Sequence, residues 1–175
     1  MRRLMLLVAA LLLSGCGIPA TGVIESGDPA TGVRPMALLY FITDDRLIPV
    51  GREVTDPADI GAAVAALLTG PDMRDRLHGL TTALGRVPTP AISTNGAEVS
   101  LQLSAGTESL PPIAARQLIC TAAAARMSDD PETLATGVTV VVTGPGGQRT
   151  RGTSHGCPTL AAVQPVASPT GTPRQ

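Results

Sequence analysis

Aromatic side chains are almost missing from this chain of 175 residues, which contains one Tyr, one Phe and no Trp. A folded domain must therefore build its core almost entirely from aliphatic side chains. Both aromatic residues, Tyr40 and Phe41, fall in the apolar run 38–43, which predicts a buried strand. The shortage of aromatic rings also disfavours a platform on which sugars or nucleobases would stack.

The first 16 residues have the features of a bacterial lipoprotein signal. Arg2 and Arg3 supply a positive start, and the apolar run 4–13 has about the length of a signal-peptide core. This run is too short for a transmembrane helix, which needs ~20 apolar residues. The sequence Leu-Ser-Gly-Cys at 13–16 resembles the lipobox, which implies cleavage before Cys16 and acylation of its sulfur. The alternative is a soluble secreted protein in which Cys16 is incidental.

Segments of biased composition flank the predicted domain on both sides. Residues 16–36 are rich in Gly, Pro, Thr and Ala, and Pro-Ala-Thr-Gly-Val occurs at 19–23 and again at 29–33. This composition predicts a flexible tether rather than a repeated recognition motif. Residues 158–175 carry spaced prolines and predict a disordered tail. The folded domain is therefore expected over 37–157.

Strand and helix patterns are mixed within the predicted domain. Alternating apolar residues define most strands, whereas longer periodic or Ala-rich runs bounded by Gly and Pro define the helices. Hairpin turns are predicted at Asp44-Asp45 and Asn95-Gly96, and Asp56 is the expected N-cap of the first helix. Hairpins mixed with two helices predict an α+β fold, in which two helices pack on a mainly antiparallel mixed sheet. The predicted elements are strands at 38–43 and 46–50, a helix at 57–69, weaker strands at 81–84 and 90–94, a strand at 99–104, a helix at 111–126, and strands at 138–143 and 148–151.

Several phrases of the sequence resemble actinobacterial lipoproteins that carry a GerMN domain. These are CGIPATGV at 16–23, LLYFITDDRLIPVGREV at 38–54, AVAALLTGP at 63–71, GLTTAL at 79–84 and ARQLICTAAAA at 115–125. The resemblance implies a single GerMN-like α+β domain, of a kind used in envelope proteins linked to sporulation, germination and sensing. It implies no catalytic residues, so none are assigned from it.

Two cysteines, Cys120 and Cys157, remain once Cys16 is acylated. Outside the cytoplasm, an even remainder predicts one disulfide. The closed loop of about 37 residues would stabilise the domain by about 3–4 kcal/mol in the chain-entropy model. Free buried thiols are an alternative, and so is a metal site in which both cysteines and His155 are ligands. An oxidising compartment favours the disulfide over zinc, which needs three or four ligands.

The sequence Gly-Thr-Ser-His-Gly at 152–156 matches the G-x-S-x-G nucleophile elbow of α/β-hydrolases. That elbow needs a strand before it, a helix after it, and an acid and a histidine downstream. Here a Cys-Pro pair follows, and no Asp, Glu or His occurs after His155. The context of the motif thus disfavours a hydrolase. An envelope hydrolase that acts on peptidoglycan or lipid through Ser154 or a metal is kept as the alternative function.

The sequence predicts a lipid-anchored, non-catalytic binding or assembly module on the outer face of the cytoplasmic membrane. Its expected partners are the membrane, through the anchor, and an envelope protein or the cell wall; no cofactor is expected. A net charge of −1 disfavours nucleic acid as a partner. Pro49 indicates that the strand 46–50 is an edge, and exposed sheet edges such as this one are the predicted docking surfaces. The charged residues at 72–76 and His78 are interpreted as a solvated face and a structural histidine.

Overall fold

The computed structural model of the chain describes residues 35–55 and 57–159. Cys16, Asp56, the predicted signal peptide and most of both predicted flanking segments lie outside this part of the chain. Helices and strands are both present, which confirms the predicted α+β class. The elements are β1 (Met36–Thr43), β2 (Arg46–Glu53), α1 (Ile60–Thr69), α2 (Met73–Leu77), β3 (Ala91–Asn95), β4 (Glu98–Gln102), α3 (Pro112–Asp129), α4 (Thr133–Thr136), β5 (Thr139–Thr143), β6 (Arg149–Thr153) and a 3-10 turn (Ser154–Gly156).

The strands form two sheets, so the expectation of one mixed sheet was wrong. β1 and β2 pair antiparallel as a separate hairpin, and the other sheet has the order β3-β4-β5-β6. Within that sheet β4 and β5 run parallel, while the outer pairs are antiparallel. The weak strand predicted at 81–84 is reduced to a single bridge between Thr81 and Ile42.

The free edge of β1 is closed by helix α3 at Tyr40 and by the backbone of Thr81 at Ile42. The Gln117 side-chain amide donates to the Tyr40 carbonyl at 2.9 Å and accepts from the Ala83 N–H at 2.8 Å. The Thr121 hydroxyl accepts from the Tyr40 N–H at 3.1 Å. Both polar side chains are 0% exposed. Buried backbone groups need partners, so these bonds fix the hairpin against α3.

Helix α3 lies between the hairpin and the four-stranded sheet, and it contacts β1, α1, β5 and β6. Its buried surface consists largely of alanines, which allow neighbouring elements to approach closely. At Gly152 on β6, an added Cβ would lie 2.9 Å from the Ile119 Cγ2 atom, closer than real Cβ atoms come. The remaining core is aliphatic apart from Phe41 and Tyr40, as the composition predicted.

The boundaries of the predicted helices and of one turn differ from the structure by a few residues. α1 begins at Ile60 instead of residue 57, because the Asp59 side chain caps it by accepting from the Ala62 N–H at 2.8 Å. The second predicted helix, α3, continues to Asp129. The predicted Asn95-Gly96 turn is shifted by one residue, since Asn95 pairs with Glu98 around a two-residue loop.

The residues at 72–76 are not simply a solvated face, since they contain a capped helix with one buried carboxylate. The Asp72 side chain accepts from the Asp75 N–H at 2.8 Å, and this bond lowers the pKa of Asp72. Asp75 is 9% exposed and forms an ion pair with Arg52 of β2. The Arg52 guanidinium also lies 5.6 Å from the centroid of the Phe41 ring. Arg52 therefore holds α2 against the hairpin.

Tyr40 provides a direct test of this core. Its side chain is 4% exposed, and its hydroxyl donates to the Pro158 carbonyl at 2.9 Å. Burial raises the pKa of Tyr40 above its ordinary value of 10.0. We expect the folded chain to ionise Tyr40 only above that pH, and the unfolded chain to ionise it at about pH 10. Because the unfolded state then loses its proton first, stability should fall as the pH rises above about 10.

The measurement is the near-ultraviolet absorbance of tyrosinate, with and without denaturant. The chain has one Tyr and no Trp, so the signal comes from Tyr40 alone. Identical titration curves for the folded and unfolded chain would contradict the buried environment of this ring.

Candidate interaction surface

The predicted lipidation and disulfide residues fall in different parts of the chain. Cys16 lies outside the described residues, so its acylation stays a prediction. The sulfur atoms of Cys120 and Cys157 are 2.05 Å apart, at disulfide distance. This link joins the middle of α3 to the residue that follows the 3-10 turn, and it encloses β5 and β6.

The metal alternative does not fit this arrangement. It requires thiolates from Cys120 and Cys157, and both sulfurs are engaged with each other. Over residues 35–55 and 57–159, no group of three or more His, Cys, Asp or Glu side chains could hold an ion. His155 is exposed, and its ring lies over Gly137, where an added Cβ would overlap the imidazole. The same glycine has φ of +76°, so its small size and its conformation are both required.

The elbow geometry of a hydrolase is also not formed at Ser154. The matching sequence ends β6 and enters a 3-10 turn instead of an α-helix. The Ser154 hydroxyl accepts from the Val138 N–H at 3.1 Å, and the Ser154 N–H donates to the Val138 carbonyl at 2.9 Å. These two bonds extend the pairing of β5 with β6 by one residue, which is a structural role for this serine.

The outer face of the four-stranded sheet is polar and open. Its inner face presents Val99, Leu101, Val140 and Val142 to the core, and α3 packs on that side. Because side chains alternate along a strand, the remaining residues share the outer face, and all of them are exposed or half-buried. Across the strands they form the rows Ala91, Gln102, Thr143 and Arg149; Ser93, Ser100, Val141 and Arg151; and Asn95, Glu98, Thr139 and Thr153.

Charges on this face lie mostly toward β6. Arg151 forms an ion pair with Glu98 at 3.3 Å, and both side chains are largely exposed. Such an exposed pair contributes little to stability. Arg149, at the same edge, has no ion-pair partner among the described residues. The face therefore offers many hydroxyl and amide groups and one cation available to a partner.

The predicted docking edge, β2, is poorly suited to strand addition. In an antiparallel pair, residues whose backbone groups face the partner strand alternate with residues whose groups face away. The Val54 N–H donates to the Pro35 carbonyl, so Arg46, Ile48 and Val50 face β1, and the residues between them face outward. Pro49 is one of these, and it has no N–H to donate. The centre of this edge therefore lacks a donor, as is common on protected edges.

The edge strand β6 is protected in another way. The Ser154 N–H bonds to the Val138 carbonyl, so Gly152 and Thr150 also face β5. Arg149 and Arg151 are then among the residues whose backbone groups face outward. Long charged side chains on an edge strand discourage further pairing.

The edge strand β3 has neither protection. Asn95 and Glu98 flank a two-residue loop and form a hydrogen-bonded pair, so Ser93 also faces β4. Ile92 and Thr94 therefore direct their N–H and C=O groups away from the sheet. β3 contains no charged residue and no proline, and its sequence is Ala-Ile-Ser-Thr-Asn. Within the described part of the chain, β3 is the edge strand that remains available for pairing.

Comparison with known proteins returned no match among family models, curated proteins or solved structures. Among the helices of the described residues, none is long and apolar enough to cross a bilayer.

Proposed function

We propose that this chain is a lipid-anchored extracytoplasmic protein whose GerMN-like domain is a non-catalytic binding and assembly module of the cell envelope. The observation that carries the proposal is the four-stranded sheet, which presents a polar outer face and the unprotected edge strand β3. Sheet surfaces of this kind bind partners through backbone bonds at an edge and side-chain contacts on a face.

Three further observations support the proposed location and mode of action. The signal-like start and the lipobox resemblance at Cys16 support an anchor on the outer face of the membrane. The pairing of Cys120 with Cys157 fits a compartment in which thiols oxidise. The residues that could have supplied nucleophilic chemistry, Ser154 and the two cysteines, are engaged in structural bonds, which favours binding over catalysis.

The anchor is tested by replacing Cys16 with Ala. Wild-type protein fed with a palmitate analogue should incorporate the label, sediment with membranes, and have the mass of a chain that begins at Cys16 and carries acyl groups. Because the thioether needs the Cys16 sulfur, Cys16→Ala should lose the label and the sedimentation. Cys157→Ala is the control and should keep both. A wild-type chain without label would contradict the lipoprotein proposal.

The interaction surface is tested by site-specific photo-crosslinking in the membrane-anchored chain. We expect photoreactive residues at Gln102 and Thr143, on the outer face, to give one discrete crosslinked partner or cell-wall adduct. Arg116 is the control position, since it is exposed on α3, away from this face. Equal crosslinking from all three positions, or from none, would contradict a role for the sheet. Ser154→Ala should leave the crosslinks unchanged, whereas a hydrolase would lose activity.

A further inference from the structure

We propose that β3 binds an extended segment of a partner protein by strand addition, and that this segment carries a basic side chain. The inference rests on the proposed binding function and names the chemistry of the partner. Three features support it: the outward backbone groups of β3, an acidic groove beside the strand, and repulsion that disfavours a second copy of the chain.

The outer edge of β3 carries backbone groups that can pair with another strand. Ile92 and Thr94 direct two N–H and two C=O groups outward, as the pairing with β4 requires. None of these groups bonds to any side chain or loop within residues 35–55 and 57–159. An extended peptide beside β3 would satisfy them, which is the usual source of affinity in strand addition.

A groove beside β3 determines which side chain of the partner segment is preferred. It has a volume of about 350 Å³ and lies between the strand and the start of α1. Its lining includes Ile92, Ser93, Thr94, Asp59 and Asp129. Ile92 and Thr94 pair with buried residues of β4, so their side chains lie on the helix side of the sheet. An inward side chain of an added strand would therefore enter this groove.

The charges in the groove are acidic. Asp59 uses one carboxylate oxygen to cap α1, and Asp129 bonds through one oxygen to Arg126 at 3.0 Å. Arg126 also pairs with Asp130 at 2.7 Å, so one cation is shared between two carboxylates. The local excess of negative charge complements a Lys or Arg side chain on the partner.

The same charges disfavour a second copy of this chain as the occupant. Two β3 strands could pair antiparallel about Ser93, because Ile92 of each would then face Thr94 of the other. Such a pair would bring two acidic grooves together, and like charges that face each other oppose association. A basic segment from another protein avoids this repulsion.

The test measures binding of a fluorescent peptide to the mature, detergent-extracted chain. The probe alternates Thr and Val and has one central Arg; the matched peptides carry Glu at that position or N-methyl groups on alternate amides. We expect the Arg peptide to bind about tenfold more tightly than the Glu peptide, and N-methylation to abolish binding.

Variants of the protein distinguish the contribution of the β3 edge to peptide binding from that of the acidic groove. Thr94→Pro removes an outward N–H donor without removing a bond to β4. It should weaken binding of the Arg peptide at least fivefold. Gly51→Pro is the matched control, since Gly51 on β2 also directs its N–H away from its partner strand and lies far from the outer face, so binding should stay unchanged. Asp59→Asn combined with Asp129→Asn keeps a side-chain cap on α1, and should abolish the preference for Arg over Glu even if Thr94→Pro fails to fold.

Other occupants would give distinct results. A concentration-dependent dimer that Thr94→Pro dissolves would identify a second copy and overturn the proposal. Crosslinks from a photoreactive residue at Ala91 to residues 160–175 of the same chain would identify the tail and also overturn it. If no peptide binds while the crosslinks from Gln102 and Thr143 persist, this inference fails and the proposed function stands; if those crosslinks are missing as well, both fail.

Discussion

Gln117→Leu should lower the free energy of unfolding by about 2–6 kcal/mol, because each of two backbone groups loses its partner at about 1–3 kcal/mol. Leu has a similar volume but cannot bond to the Tyr40 carbonyl or the Ala83 N–H, which Gln117 contacts at 2.9 and 2.8 Å. Gln117 is 0% exposed, so water does not reach its amide to replace the lost bonds.

The measurement is urea unfolding of the extracted chain, followed by circular dichroism. Arg116→Leu is the matched control, because it makes the same substitution at the preceding, exposed residue of α3. We expect its effect to stay within about 0.5 kcal/mol. If both variants unfold at the same urea concentration, Gln117 does not hold the hairpin in place.

Replacing both Cys120 and Cys157 with Ala should lower the free energy of unfolding by about 2–5 kcal/mol, the usual loss when a small extracytoplasmic domain loses its disulfide. The link spans 37 residues and encloses β5 and β6, which form half of the four-stranded sheet. Without it, the unfolded chain gains freedom and the sheet loses a covalent tie to α3.

Reduction provides the matched comparison for this prediction. A reductant should destabilise the wild-type chain by about as much as the double substitution, and it should leave the double variant unchanged. Intact mass should show that the wild-type chain gains two hydrogens on reduction. A wild-type chain whose unfolding midpoint is insensitive to reductant would contradict the role assigned to this link.

Both predictions concern α3, the helix on which the two sheets depend. Through Gln117 and Thr121 it supplies partners for the β1 backbone, and through Cys120 it is linked to Cys157, which follows β6 and the 3-10 turn. A core with so few aromatic residues gains less from burying any one side chain, so these specific bonds carry more of the stability. The proposed contact strand, β3, lies outside this network, which leaves it available to a partner.

Some features of the site could be predicted from the residues and others could not. The strand near 90–94 and its turn at Asn95 follow from local turn chemistry, and the structure has them within one residue. That β3 is an unprotected edge depends on which strands pair in space. A signal was present in the sequence, because the strand candidate at 90–94 has no charged residue and its one proline is its first residue, but local sequence does not determine which strands pair with it.

The sequence by itself determined the features that depend on neighbouring residues. Asp44 and Asp45 adopt positive φ and turn β1 into β2, and the aliphatic composition determines the nature of the core. The tertiary structure decided which edges are closed and which charges are buried. Gln117 meets Tyr40 across 77 residues, and Arg52 meets Asp75 across 23. Contacts between distant residues require the whole fold, because loop closure brings such residues together only when the core between them packs.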